Sequence, residues 1–199
     1  MNKIISLLIF YCLSFQVSVA QDFHAGIRFG MSATQVSGDN LSGFDKAGVL
    51  AGAFVNRDFS QKISVQMEMI FIQKGSRKPV STLDNSYYRM RLHYFEVPLL
   101  LQFHASKKIC IEGGASAGVL VFSREDNQLG DISFTPPFKK MEIASHIGVQ
   151  FIISEHWAVD LRHSGSLTPV RNFQGSYNYN YFDRGQYNSS LQLSMEYTF

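Results

Sequence analysis

Eight stretches that alternate apolar and polar residues, connections that alternate long and short, and a last strand that closes on Phe199 predict an all-β fold. The expected architecture is an eight-stranded antiparallel up-and-down transmembrane β-barrel with long extracellular loops and short periplasmic turns. Each observation has a physical reason. Alternation at period 2 gives a strand one apolar and one polar face. Lipid supplies no partner for backbone N–H and C=O groups, so a membrane is crossed by helices or by a closed sheet. After residue 20 no run approaches the roughly 18 apolar residues of a membrane helix, which leaves the sheet.

The first twenty residues read as a signal peptide and residues 21–199 as one barrel domain. Lys3 supplies the positive start, Ile4 to Phe15 is a mostly apolar run, and Ser18-Val19-Ala20 offers small residues before Gln21. The run is too short to span the ~30 Å of a bilayer as a helix. Cys12 lacks the small residues that a lipidation site has before its cysteine. Beyond it only Cys110 remains, so the domain has no internal disulfide.

The first strand is Phe23 to Ser32, with Phe23, Ala25, Ile27, Phe29 and Met31 on one face and His24, Gly26, Arg28 and Gly30 on the other. A polar loop covers 33–46. The second strand runs from Ala47 to Arg57, and Asp58 to Lys62 turns the chain. The third, from Ile63 to Lys74, sets Ile63, Val65, Met67, Met69 and Phe71 against Ser64, Gln66, Glu68 and Lys74, with Ile70 and Ile72 as apolar exceptions on the polar side. After a loop at 75–88, the fourth strand spans Arg89 to Phe103. Pro98 has no ladder donor, so a bulge or local break is expected there. The fifth strand covers Lys108 to Phe122 and is followed by a loop at 123–140. The sixth and seventh, Met141 to Ile153 and His156 to Gly165, flank the shortest turn, Ser154-Glu155. A Tyr/Asn-rich loop at 166–187 leads to the last strand, Ser189 to Phe199. An even number of strands puts both termini on the short-turn, periplasmic side of an outer membrane.

The polar face separates a membrane barrel from a soluble one. It carries Arg28, Glu68, Glu96, Glu112, Glu142, Asp160, Arg162 and Glu196, diluted with Gly, Ser and Gln. Eight strands leave an interior just wide enough for side chains. Aromatics near strand ends (Phe23, Phe71, Phe103, Phe122, Trp157, Tyr197, Phe199) suit the two membrane interfaces.

Four stretches carry a resemblance. They are Gln66-Met67-Glu68 with Gln73-Lys74-Gly75, the strand Tyr94-Phe95-Glu96-Val97-Pro98-Leu99-Leu100-Leu101, the glycine-rich Glu112-Gly113-Gly114 to Gly118, and Arg162 to Pro169. Together they resemble the PorT-like outer-membrane β-barrel family of Bacteroidota, also labelled porin family or outer membrane protein beta-barrel domain. The resemblance covers the whole mature chain; Phe95 stands where the family has Leu, and Gln102 where it has Lys. It implies a barrel with periplasmic termini and no settled activity, the name-giving member being linked to protein secretion.

The functional expectations follow from the same residues. A net charge of +2 gives no basic footprint for nucleic acid. Arg28, Glu68, Glu96 and Arg162 are expected to pair across the lumen as a plug, since buried charges need partners. Tyr197 and Phe199 form an expected assembly signal for the barrel-assembly machinery. No catalytic, cofactor-binding or metal-binding residues are assigned. His163 and Ser164 are adjacent and point to opposite faces, His163 towards lipid, and the other histidines lack metal-ligand spacing. The expected function is therefore a non-enzymatic outer-membrane protein, a structural, binding or secretion-accessory component acting through its loops. The expected partners are outer-membrane lipid and a protein that meets the loops, chiefly Phe173 to Tyr187 with its amphipathic aromatics. A lipid A-modifying hydrolase and a narrow pore are the alternatives.

Overall fold

The computed structural model describes residues 23–39, 41, 43–79, 86–132, 137–172 and 185–199, and their regular structure is all β. Eight strands follow in order: β1 (Phe23–Ser37), β2 (Lys46–Asp58), β3 (Ile63–Lys78), β4 (Tyr88–His104), β5 (Ile109–Asn127), β6 (Met141–Ile152), β7 (Trp157–Ser166) and β8 (Gly185–Thr198). Each pairs antiparallel with the next. β1 closes the ring on β8, in register from Gly26↔Thr198 to Ser37↔Tyr187. Two-residue pieces extend the wall at the long-loop end, Gly130–Asp131 on β5 and Arg171–Asn172 on β8. The expected leader at 1–20 and most of the Tyr/Asn-rich loop, 173–184, lie outside the described residues.

The side chains are inverted relative to a soluble barrel. Met31, Met69, Leu99, Ile147 and Leu193 are among the most exposed apolar residues, all on the outer wall. Arg28, Glu68, Glu96, Glu112, Arg162 and Gln192 are buried inside. Such an outer surface is stable only against lipid.

Two features refine the strand boundaries. First, β1, β3, β4, β5 and β8 continue past the residues where lipid-facing alternation stops. β3 adds Gly75 to Lys78 and β5 adds Ser123 to Asn127. The connections at that end shrink accordingly, the first of them from 33–46 to 38–45. Above the lipid both faces of a strand are polar, so periodicity fades while the backbone ladder goes on. Second, the β3–β4 ladder is interrupted between Met67↔Leu99 and Ile70↔Glu96, opposite Pro98, and resumes in the same register. The proline therefore costs a local break without a bulge. The register shift in β4 lies elsewhere, against β5 between His93 and Tyr94.

Candidate functional site in the barrel lumen

The lumen holds two layers. Towards the short-turn end it is ionic. Arg28, on β1, reaches Asp160 at 2.5 Å, Glu68 at 2.9 Å and Glu196 at 3.2 Å. Arg162, on β7, reaches Glu112 at 2.5 Å through Nε and lays Nη1 and Nη2 on the two oxygens of Glu68, each at 2.9 Å. That fork on a carboxylate is the strongest ion-pair geometry proteins use. Gln66 and Gln150 donate to two of these carboxylates, Gln66 to Glu68 at 2.9 Å and Gln150 to Glu196 at 2.7 Å. Small residues make the space. A Cβ on Gly148 would lie 2.8 Å from Glu112 Oε1.

The structure thus brings Arg28, Glu68 and Arg162 together and adds three carboxylates to them: Asp160, Glu112 and Glu196. Glu96 lies apart. Its partner is Lys74 at 2.5 Å, and Lys74 also holds Glu142 at 3.1 Å. Glu142 in turn accepts hydrogen bonds from Ser166 and from Asn188. Lys74, read only as a polar-face residue of the third strand, is the missing cation of this second group. The register explains the division. Glu96 faces Gly118 on β5 and Ile70 on β3, above the arginine layer.

Towards the long-loop end the lumen is apolar. Val36, Leu50, Ile72, Met90, Leu92 and Tyr94 form one buried cluster, with Tyr88, Leu120 and Phe138 packed on it. Ile72, an exception in the alternation, is one of its inward anchors. Above the cluster Arg171 stacks 3.7 Å from the Phe138 ring and binds Glu125 at 2.5 Å. Tyr88 donates to the same Glu125. Burial, then this carboxylate, pushes the Tyr88 phenol well above its ordinary range. At the other mouth the ionic layer opens on a cavity of about 230 Å³ lined by Asn56, Gln102, His24, His104, His156 and Glu196 among others.

Three Ser–His contacts went unseen in the sequence because they join different strands. His146 Nε2 lies 2.7 Å from Ser116 Oγ inside the lumen, and its Nδ1 has no partner among the described residues. Ser64 and His104 meet at 3.0 Å near the short-turn mouth. His163 Nε2 lies 3.0 Å from Ser189 Oγ on the outer wall. The adjacent Ser164 points inward and is buried. Among the described residues no group of three or more His, Cys, Asp or Glu side chains is placed to hold a metal ion. Cys110 is free and buried.

At the short-turn interface Trp157 packs 4.9 Å from Tyr197, Tyr197 packs 5.9 Å from Phe199, and Phe29 meets Trp157 edge-on at 6.5 Å. Phe199 N also donates to Ala25 O at 3.0 Å, so the last residue is tied to β1.

Comparison with known proteins agrees with this architecture. The family described as "Outer membrane protein beta-barrel domain" matches residues 19–172. Among solved structures, the attachment invasion locus protein Ail of Yersinia pestis superposes with a TM-score of 0.53 at 14% identity, covering 90% of this chain and 100% of Ail. Neisserial surface protein A superposes at 0.54 with 9% identity, covering 89% of this chain and 97% of the other. Identities this low speak for the fold alone. No curated protein matches the sequence. The chain belongs to the outer membrane protein beta-barrel domain family.

Proposed function

From that membership, we propose that this outer-membrane barrel is a closed, non-enzymatic wall protein that works through its long-loop end, as a structural, binding or secretion-accessory component. One observation carries the reading: the lumen is filled from the ionic layer of Arg28 and Arg162, both fully buried, to the apolar cluster around Leu50 and Tyr94. A filled lumen conducts nothing, so action falls to the ends. Phe23 and Phe199, the two ends of the described barrel, lie at the short-turn end, and we assign that end to the periplasm and the long loops to the cell exterior. The resemblance of Tyr94 to Leu101 to the PorT-like family supports a role beside secretion machinery. The neighbour Ail was solved in complex with the heparin analogue sucrose octasulfate, which supports a binding role as one form of this reading. Planar-bilayer recording of the purified barrel tests the reading. Conductance near zero is expected, and a stable unitary current overturns it.

A second reading rests on one contact. His163 and Ser189 meet on the outer wall, where a lipid ester would be reached. A nucleophile needs a base and the base an orienting group, and His163 has no carboxylate partner among the described residues. Mass spectrometry of lipid A from cells with and without the protein decides this point. An acyl loss that disappears with Ser189→Ala would make the barrel a hydrolase.

Phe199 and Tyr197 are assigned to recognition by the assembly machinery. Deletion of Phe199 is expected to lower the amount inserted in the outer membrane. Wild-type outer-membrane levels of the truncation would remove that role.

A further inference from the structure

Above the lipid-facing band, the outer wall of β3, β4 and β5 changes abruptly from apolar to basic. The band ends in an aromatic cluster. Phe71 packs 5.5 Å from Phe95 and 5.6 Å from His93, and His93 stacks 4.8 Å from Phe122. The next outward positions are cationic. Arg91 faces Arg124 across the β4–β5 pair, and Arg77 faces Arg89 across β3–β4. Arg91 and Arg124 share one carboxylate, Asp126, at 2.7 and 2.9 Å, and Arg124 touches Asp131 at 3.6 Å. Among the described residues Arg77 and Arg89 have no ion-pair partner.

Lys46 adds a fifth cation from inside the wall. It is only 5% exposed. A Cβ on Gly75, which holds φ at +134°, would lie 2.1 Å from Met90 O and 3.0 Å from Lys46 Cδ, so the lysine stem passes a position that only glycine leaves open. Arg89 and Arg91 act electrostatically on its ammonium, and it acts in turn on His93. No carboxylate among the described residues pairs with it. A buried cation beside two more cations is costly without an anion. The outer wall therefore offers a half-made site: Arg77, Arg89 and Arg91 above an aromatic surface, with Lys46 buried behind them and adding its charge to that of Arg89 and Arg91.

We propose that this patch binds the phosphorylated headgroup of an outer-leaflet saccharolipid of the lipid A type. The argument is the pairing of two chemistries at one height. A soluble polyanion needs only the cations. A membrane lipid needs cations at headgroup level and an apolar wall just below, and Phe71, Phe95 and Phe122 supply that wall. Guanidinium groups match phosphate oxygens in two-point geometry, and the lysine adds a point charge. Phosphate ester oxygens would occupy the space above His93, between Arg89 and Arg91 and in front of the buried Lys46, and the acyl chains would lie along the phenylalanines. The site's place in the outer leaflet rests on the orientation assigned above. Binding in detergent is independent of orientation, so a wrong orientation and a wrong site fail separately.

The test is native mass spectrometry of the folded barrel in non-ionic detergent, titrated with bisphosphorylated lipid A, dephosphorylated lipid A, phosphatidylglycerol and sucrose octasulfate. Folding of each variant is checked by its heat-dependent gel mobility. Bisphosphorylated lipid A is expected to be retained at least tenfold more tightly than the dephosphorylated form or phosphatidylglycerol. The double variant Lys46→Gln/Arg91→Gln should lose that preference, and Lys107→Gln, at the short-turn end, should keep it. Should the double variant fail to fold, Arg89→Gln alters an exposed, unpaired side chain and is expected to weaken retention severalfold. Equal retention of the two lipid A forms would overturn the proposal, because only the apolar wall would then be read. So would sucrose octasulfate binding as tightly as lipid A with the same variant losses, which would make the patch a receptor for soluble polyanions.

Discussion

The two halves of the lumen solve the same packing problem with opposite chemistry. Towards the short turns, two arginines and four carboxylates fill the space through directed bonds, including the fork of Arg162 on Glu68. Towards the long loops, Val36, Leu50, Ile72, Met90, Leu92 and Tyr94 fill it by shape. An ionic layer has few acceptable arrangements, because every buried charge must keep its partners. An apolar layer tolerates small rearrangements and degrades in proportion to lost volume. The ionic half therefore fixes which strands face which across the lumen. The apolar half closes the mouth nearest the loops, where the barrel meets its surroundings.

The sharpest break of this comparison is Arg162→Ala. It strips partners from Glu68 and Glu112 at once and leaves buried carboxylates facing one remaining arginine. Removing one member of a buried pair costs roughly 3–5 kcal/mol. Urea unfolding in micelles is expected to show a midpoint far below wild type. Glu68→Ala should fall in the same range, since both arginines lose their shared acceptor. Midpoints near wild type for both variants would mean that the ionic layer contributes little.

On the apolar side the matching variant is Leu50→Ala. Leu50 is almost fully buried and sits between Gly30 on β1 and Ile72 on β3. A leucine truncated in a packed core costs about 2–5 kcal/mol, depending on how far the site collapses. Collapse is easier here, with Tyr88, Leu120 and Phe138 able to shift, so the low end is expected. The accompanying sign should be a less tightly closed mouth, read as faster hydrogen exchange of Tyr88 to Leu92 amides. A larger loss than for Arg162→Ala would reverse the ranking of the two halves.

The sequence made the wall legible and half of the filling. Period-2 alternation in lipid-facing residues such as Met67, Met69, Leu99 and Leu193 is a strong local signal, because lipid enforces it at each position. Arg28, Glu68 and Arg162 were readable as inward charges for the same reason. Their pairing was not, since it depends on register across several strands, and Glu96 fell with Lys74 on that account. The apolar cluster was visible only through one exception, Ile72, which broke the pattern that identified the strands. The Ser–His contacts join residues 26 to 40 positions apart, and Lys46 lies 43 and 45 positions from Arg89 and Arg91, beyond any local periodicity. Strand ends above the lipid were missed because nothing forces alternation where water wets both faces.

Lys46 probes the comparison from the other side: a cation buried at the edge of the apolar half, with no carboxylate to meet it. Burial, then Arg89 and Arg91, lowers its amine to about 8. His93 lies within its electrostatic reach, and its Cδ passes Gly75. The unfolded chain holds a lysine near 10.4, so the folded state disfavours the charged form. The penalty is complete below pH 8 and fades as pH rises towards the unfolded value. Its ceiling is roughly 3 kcal/mol, from 1.36 kcal/mol per unit. Lys46→Met keeps the stem's volume and removes the charge. In lipid-free micelles it should be more stable than wild type at pH 7, by less than that ceiling, and the gap should close by about pH 10. Added bisphosphorylated lipid A should narrow the gap at pH 7 by stabilising wild type alone. A variant less stable than wild type at pH 7 without lipid would show that the ammonium already has an acceptor within the protein, and the contrast between the ionic and the apolar half would fail at that residue.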